Sequence, residues 1–181
     1  MKITQTALPG VLILTPEVYR DARGAFYETW NQRVFAEAGL GAEWVQDNYS
    51  YSVKNVIRGI HYQVIRPQAK LVRVTEGAVF DVAVDLRRSS AWFGKHAAVE
   101  LSAENALMLF IPVGFGHAFA ALTERAGFSY KVSDFYCREG ERTIRWDDAD
   151  LAIEWPVEPG RAIVSEKDGM GSALRDAEVF A

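Results

Sequence analysis

Within the segment from Val79 to Leu86, the residues Phe80, Val82, Val84 and Leu86 fall on one face of an extended chain, and Val79, Asp81, Ala83 and Asp85 fall on the other. A helix would scatter this period-two pattern around its circumference, so the segment reads as a strand. Leu71–Val74 reads as the strand before it, across a Glu76-Gly77 turn. Runs of the same kind predict strands at Val11–Leu14, Gly24–Trp30, Val45–Ser52, Val56–Gln63, Lys95–Leu101, Ala106–Ile111, Ala118–Leu122, Phe128–Tyr136 and Ile144–Trp146. Helical signals are confined to two short places. Asn31 can cap a helix that carries Val34, Phe35 and Ala38 and stops at Gly39, and a second helix is expected over Ser172–Phe180. Many short strands with turns roughly every 8 to 12 residues specify a mainly all-β sandwich or barrel.

Nothing divides this chain. It has no internal repeat, no low-complexity tract and no Ser/Gly linker, and 181 residues suffice for one core, so residues 1–181 are read as a single domain. Twenty basic against 24 acidic residues leave a net charge of -4, which gives no basic footprint for nucleic acid. The long uncharged segment Ala106–Leu122 is broken by Pro112, Gly114 and Gly116, which marks strand, turn and strand rather than a membrane helix. Cys137 is the single cysteine, so no intrachain disulfide can form; a reducing cytoplasm is the expected setting and a packed thiol the expected role. The N-terminal residues contain no apolar run of signal-peptide length.

The three histidines carry most of the chemical signal. His96, beside a turn, reads as a surface residue. His61 and His117 each follow a glycine-containing stretch on a strand, and either one alone reads as a satisfied buried imidazole. Their spacing changes that reading. Gly59, His61, Gln63, Lys70 and Gly77, followed by Pro112, Gly114 and His117, form the two-motif pattern of the cupin barrels. In metal-binding cupins a second histidine would stand at Gln63 and a glutamate at Lys70. Imidazole and carboxylate bind a divalent ion, whereas an ammonium group in the first shell repels it, so no metal is expected. No Gly-rich phosphate loop or dinucleotide fingerprint occurs, and no cofactor is expected.

The surrounding residues resemble one family closely, the dTDP-4-dehydrorhamnose 3,5-epimerases. The resemblance rests on Asp21-x-Arg-Gly-x-Phe26-x-Glu28, Gln46-Asp-Asn48-x-Ser50-x-Ser52, Val56-Ile-Arg-Gly-Ile-His61-Tyr-Gln63, Lys70-Leu-Val and Phe80-Asp-Val-Ala-Val-Asp-Leu-Arg87. It continues through Phe93-Gly94, Ile111-Pro-x-Gly-Phe115-x-His117-x-Phe119, Tyr130-Lys131, Tyr136, Ile153-x-Trp-Pro156 and Ser165-x-Lys-Asp168, in order from about Leu8 to Asp168. The chain departs from the family at Gly114-Phe-Gly-His-Ala-Phe119, where Gly-Phe-Ala-His-Gly-Phe is usual.

The resemblance implies a cupin-like jelly-roll enzyme that inverts the carbons flanking the ketone of a dTDP-4-keto-6-deoxy-sugar. Such chemistry needs a base with a pKa near neutrality, which suits His61. The family assigns Asp168 as the partner that orients this ring and Tyr130 as the phenol that returns the proton. An enolate needs a cation or donors at its oxygen, and Lys70, inward-facing on a strand, suits that role. By resemblance Arg23, Phe26, Glu28, Gln46, Asn48, Arg58, His117, Tyr136, Glu141 and Lys167 line the substrate site. Arg23 and Arg58 are the candidate diphosphate ligands. If its strand is regular, Tyr136 shares a face with Tyr130, and the family has it stacking on the thymine. A homodimer is implied. Still open are a mono-epimerase acting on one carbon, a more distant isomerase that moves the ketone, a non-catalytic sugar-binding cupin, and a metal-dependent cupin enzyme with Lys70 as its obstacle.

Overall fold

The computed structural model describes residues 1–41, 43–158 and 160–181. The described residues form thirteen strands: β1 (Lys2–Gln5), β2 (Leu12–Thr15), β3 (Tyr19–Asp21), β4 (Gly24–Phe26), β5 (Gln46–Val53), β6 (Ile57–Gln63), β7 (Lys70–Glu76), β8 (Ala78–Asp85), β9 (His96–Ser102), β10 (Met108–Ile111), β11 (Phe115–Ala121), β12 (Arg125–Val132) and β13 (Glu141–Thr143). Two short helices, α1 (Gln32–Glu37) and α2 (Glu166–Gly169), complete the set with a 3-10 turn at Leu174–Asp176. The strands form a six-stranded sheet in the order β1-β2-β10-β7-β12-β5, a five-stranded sheet in the order β13-β6-β11-β8-β9, and the separate hairpin β3-β4. The two large sheets face each other as the layers of a cupin-like jelly roll.

The alternation in β8 shows why this arrangement holds. Val79 and Ala83 point between the sheets into a core with Val72, Leu109, Ile111, Phe119 and Phe128. Val82, Val84 and Leu86 point the other way, into a second cluster with Ile144, Leu151, Leu174 and Ala177. The C-terminal stretch therefore covers the outer face of the five-stranded sheet. Burying apolar area on both faces contributes on the order of 25 cal/mol per Å² removed from water. The same burial takes in Asp81 and Asp85, which a half-exposed strand would leave in water.

Several elements differ from their sequence expectation. The helix expected over Ser172–Phe180 is reduced to the 3-10 turn. The Phe180 N–H donates to the Leu86 carbonyl and the Arg88 N–H to the Phe180 carbonyl, so the end of this stretch is held by the segment that follows β8. Helix α2, which no periodicity announces, lies just upstream. Strand β4 stops at Phe26 rather than Trp30. The strand expected at Ile144–Trp146 forms earlier, as β13. Strand β12 ends at Val132, because Ser133 and Asp134 turn the chain: Ser133 Oγ accepts from the Ala69 N–H and Asp134 Oδ1 from the Phe135 N–H. Helix α1 is capped by Asn31 as expected, with Asn31 Oδ1 accepting from the backbone N–H groups of Arg33 and Val34. His96 is half-buried rather than on the surface.

Candidate active site

Strands β6 and β11 lie side by side with His61 opposite His117. They approach closely at Gly59, which has a φ of +113°; a Cβ there would come within 2.6 Å of the His117 carbonyl oxygen and the Ala118 side chain. Glycine meets both demands, the left-handed backbone and the missing side chain. Ala118 and Gly116, the two departures from the family loop, pack here against β6: a Cβ at Gly116 would lie 2.5 Å from Ile60. Neither lines the cavity described next.

His61 opens onto a cavity of about 190 Å³ whose walls include Lys70, Tyr130, Gln46, Asn48, Tyr136 and Glu141. One-turn helix α2 delivers Asp168 to the back of the His61 ring. Ser165 Oγ caps that turn by accepting the Asp168 N–H at 3.1 Å. His61 Nε2 donates to Asp168 Oδ1 at 2.5 Å, and the Gly59 N–H donates to Oδ2 at 3.2 Å. Burial alone would raise the Asp168 carboxyl, but the hydrogen bond and charge of His61, aided by Gly59 and Ser165, hold it below its ordinary value. A carboxylate can only accept, so Nε2 carries the proton and Nδ1 is the free, basic nitrogen.

Lys70 begins β7 and is only 9% exposed. Burial lowers its ammonium to about 8, against the opposing charges of Asp81 and Glu141. Tyr130 is pushed above the ordinary phenol value by burial, which Arg58 opposes and Glu141 reinforces, so its hydroxyl is a protonated donor at neutral pH. Glu141 lies opposite Gln63 in the β13–β6 ladder. Lys167 Nζ contacts its Oε1 at 2.6 Å and the Tyr136 hydroxyl donates to its Oε2 at 2.9 Å. Burial works to raise Glu141, yet these partners hold it low. Gln46 Nε2 donates to Asn48 Oδ1 at 2.8 Å.

The remaining predicted residues stand further off. Arg58 donates to Ser52 Oγ and to the Tyr51 carbonyl, both at 3.0 Å, beside rather than in the cavity wall. His117 is buried behind the wall, with Nε2 at 3.1 and 3.0 Å from the two oxygens of Asp81. Tyr136 comes from the loop after β12 and not from the strand of Tyr130, yet reaches the same cavity. Arg23 and Phe26 lie on the β3-β4 hairpin, where the Arg23 side chain is 90% exposed and Phe26 is 73% exposed. Glu28 accepts from Asn31 Nδ2 at 2.8 Å. Within one chain the hairpin does not bring Arg23 or Phe26 to His61, and the cavity lining does not include Glu28.

Sequence reasoning missed Tyr62 and Gln68 as lining residues, and it left Gln63 and Asp81 without roles. Gln63 clamps the rim. Its Nε2 donates to the Arg66 carbonyl at 2.8 Å and its Oε1 accepts the Cys137 N–H at 2.9 Å, joining two loops at the cavity mouth.

A family model described as dTDP-4-dehydrorhamnose 3,5-epimerase matches residues 5–176. The chain belongs to the dTDP-4-dehydrorhamnose 3,5-epimerase family. Among relatives of that name, the Pseudomonas aeruginosa protein is 50% identical over 181 residues, covering 99% of each chain. The Methanothermobacter thermautotrophicus protein is 47% identical, covering 99% of this chain and 97% of its own length. Among solved structures, the Legionella pneumophila dTDP-6-deoxy-D-glucose-3,5-epimerase, in complex with dTDP-4-keto-L-rhamnose, superposes with a TM-score of 0.95. It is 42% identical and covers 98% of this chain and 94% of its own. The epimerase family thus accounts for both the cupin-like fold and the ordered motifs along the sequence.

Proposed function

We propose that this chain epimerises dTDP-4-dehydro-6-deoxy-glucose to dTDP-4-dehydro-rhamnose, inverting carbons 3 and 5. The observation that carries the reading is one cavity that holds an oriented imidazole, a buried ammonium and a protonated phenol. His61 Nδ1 takes the proton from a carbon next to the ketone. The C–H electrons move into the new C=C bond and the carbonyl electrons to oxygen, giving an enolate. Lys70 stabilises that oxygen by charge and hydrogen bonding. The Tyr130 hydroxyl returns a proton to the opposite face as the carbonyl re-forms. No electrons are gained or lost, so the chemistry calls for no redox cofactor, and the Lys70 ammonium stands where metal-binding cupins put a carboxylate.

Gln46, Asn48, Tyr136, Glu141 and Lys167 are assigned to the sugar nucleotide, with Arg58 and His117 as further contacts. Arg23, Phe26 and Glu28 are assigned to the same site in a homodimer. The exposed β3-β4 hairpin supports this, because an apolar Phe26 and an arginine projecting into water suit a reach toward a second chain. The uncombined thiol of Cys137 suits a reducing cytoplasm.

The test is incubation of the chelator-treated protein with dTDP-4-dehydro-6-deoxy-glucose in deuterated water, followed by proton NMR of the sugar. Loss of signal at both flanking carbons is expected. Exchange at one carbon alone would make the protein a mono-epimerase, and none would refute the reading for this substrate.

A further inference from the structure

Tyr136 lies beyond the end of β12, where no strand ladder fixes the chain, yet its side chain is part of the cavity wall. Its hydroxyl donates to Glu141 Oε2 at 2.9 Å, and Lys167 holds the other oxygen of that carboxylate. The backbone on both sides of Tyr136 is held by a single side chain, the amide of Gln63. Gln63 Oε1 accepts from the Cys137 N–H at 2.9 Å, and Gln63 Nε2 donates to the Phe135 carbonyl at 3.3 Å. Nε2 also donates to the Arg66 carbonyl at 2.8 Å. Two carbonyls at one end and an N–H at the other fix which way the amide faces. Among the described residues no other backbone group bonds to the Phe135 carbonyl or the Cys137 N–H. The amide therefore does for this loop what a neighbouring strand does for a ladder. The remaining side-chain ties between the two loops, from Gln68 Nε2 to the Asp134 carbonyl and from Arg66 to the Asp134 carboxylate, lie upstream and do not flank Tyr136. Gln63 is 5% exposed and both of its N–H donors are used, so it has none left for a substrate. Its ladder partner on β13 is Glu141, so the backbone and the hydroxyl of Tyr136 are anchored from one point of the five-stranded sheet.

We propose that Gln63 is a positioning residue for Tyr136, gripping the chain on either side of it so that the ring stands ready for the sugar nucleotide. This rests on the epimerase reading above. Gln63 acts through Tyr136 and takes no part in the proton transfers, so its loss weakens binding and spares the chemical step. Methionine at this position keeps the length and bulk of the side chain but has no N–H to donate and only a weakly accepting sulfur.

The test compares wild type, Q63M, Y136A and Q63M/Y136A for deuterium exchange into dTDP-4-dehydro-6-deoxy-glucose and for calorimetric binding of dTDP. Q63M should raise KM and the Kd for dTDP by at least about tenfold and leave kcat within about threefold of wild type. Unchanged KM and Kd would overturn the proposal. So would a lowered kcat at unchanged KM, because a merely structural role reduces the fraction of active protein. In the Y136A background Q63M should add less than about twofold; the full loss there would mean that Gln63 does not act through Tyr136. If Q63M does not fold, Q63A is read in the same way, since it leaves room for water to meet the three freed backbone groups. Amide hydrogen exchange of the free protein gives a readout independent of any nucleotide. The Cys137 amide should exchange faster in Q63M than in wild type, and equal rates would refute the clamp. If the wild type neither exchanged substrate nor bound dTDP, the epimerase reading would fail, while amide exchange would still decide whether Gln63 holds the loop.

Discussion

Replacing Asp168 with asparagine separates the orientation of His61 from its presence. In the native site Asp168 accepts two hydrogen bonds, from His61 Nε2 at 2.5 Å and from the Gly59 N–H at 3.2 Å. An asparagine amide has one oxygen and one NH2 group, so it cannot accept from both. The Gly59 N–H cannot reverse its polarity, which leaves the oxygen facing Gly59 and the NH2 facing His61. The imidazole must then switch tautomer, with Nε2 accepting and Nδ1 protonated, and the base is lost from the cavity side. Loss of a charge-assisted bond alone costs about 1.5–3 kcal/mol, or roughly 10- to 150-fold in rate. The tautomer switch adds to this, so kcat/KM for deuterium exchange should fall at least about 100-fold. The Ser165 cap on α2 does not depend on the Asp168 side chain, so the fold should survive by circular dichroism. Stability supplies a second reading. Because Asp168 is held below its ordinary value in the folded state, its contribution is fully present above the unfolded carboxylate pKa. It is lost as pH falls through the lower folded pKa. Wild type should therefore melt above D168N at neutral pH, and the gap should close in acid. A variant within about threefold of the wild-type rate would refute the orienting role, since even the weakest charged bond should cost more.

Three further outcomes follow from the same geometry. Exchange by the wild type should fall as pH rises through about 8, where Lys70 loses its proton, and Lys70→Met should abolish exchange across the whole profile. Tyr130→Phe should still exchange the proton that His61 removes but fail to invert the carbon, seen by NMR as deuterated substrate without epimer. Gly59→Ala should lower the melting temperature, because its Cβ meets the His117 carbonyl oxygen at 2.6 Å. Overpacking of that kind costs about 1–3 kcal/mol and should displace His61, lowering activity as well.

Much of this was legible in the sequence because burial and chemistry followed local pattern. The strand β8, the Asn31 cap and the turn glycines all act within a few residues. The ammonium at Lys70, in a position where metal-binding cupins carry a ligand, points to acid-base chemistry from the sequence alone. What local pattern cannot carry is a long-range partner. The contact between His61 and Asp168 joins residues 107 apart, and only the family resemblance anticipated it. The tail 172–180 has the composition of a helix, but at Phe180 its backbone bonds to Leu86 and Arg88 just after β8, a choice made by tertiary contact. Asp81 was visible as an acid in an alternating strand. Its significance depended on whether that face met water, and the second sheet decided that. The β3-β4 hairpin is the opposite case: the motif pointed to the site, but a single chain leaves Arg23 and Phe26 in solvent.

In the proposed reaction the free nitrogen of His61 removes the proton. Its most direct test is deuterium exchange into dTDP-4-dehydro-6-deoxy-glucose by His61→Asn, run beside the wild type at matched protein concentration. Asparagine keeps a polar group at the position but cannot act as a base near neutral pH. The expected result is a native fold and melting profile with no exchange above the protein-free control at either carbon. Exchange at the wild-type rate at either carbon would contradict it, and would place the base for that carbon elsewhere in the cavity.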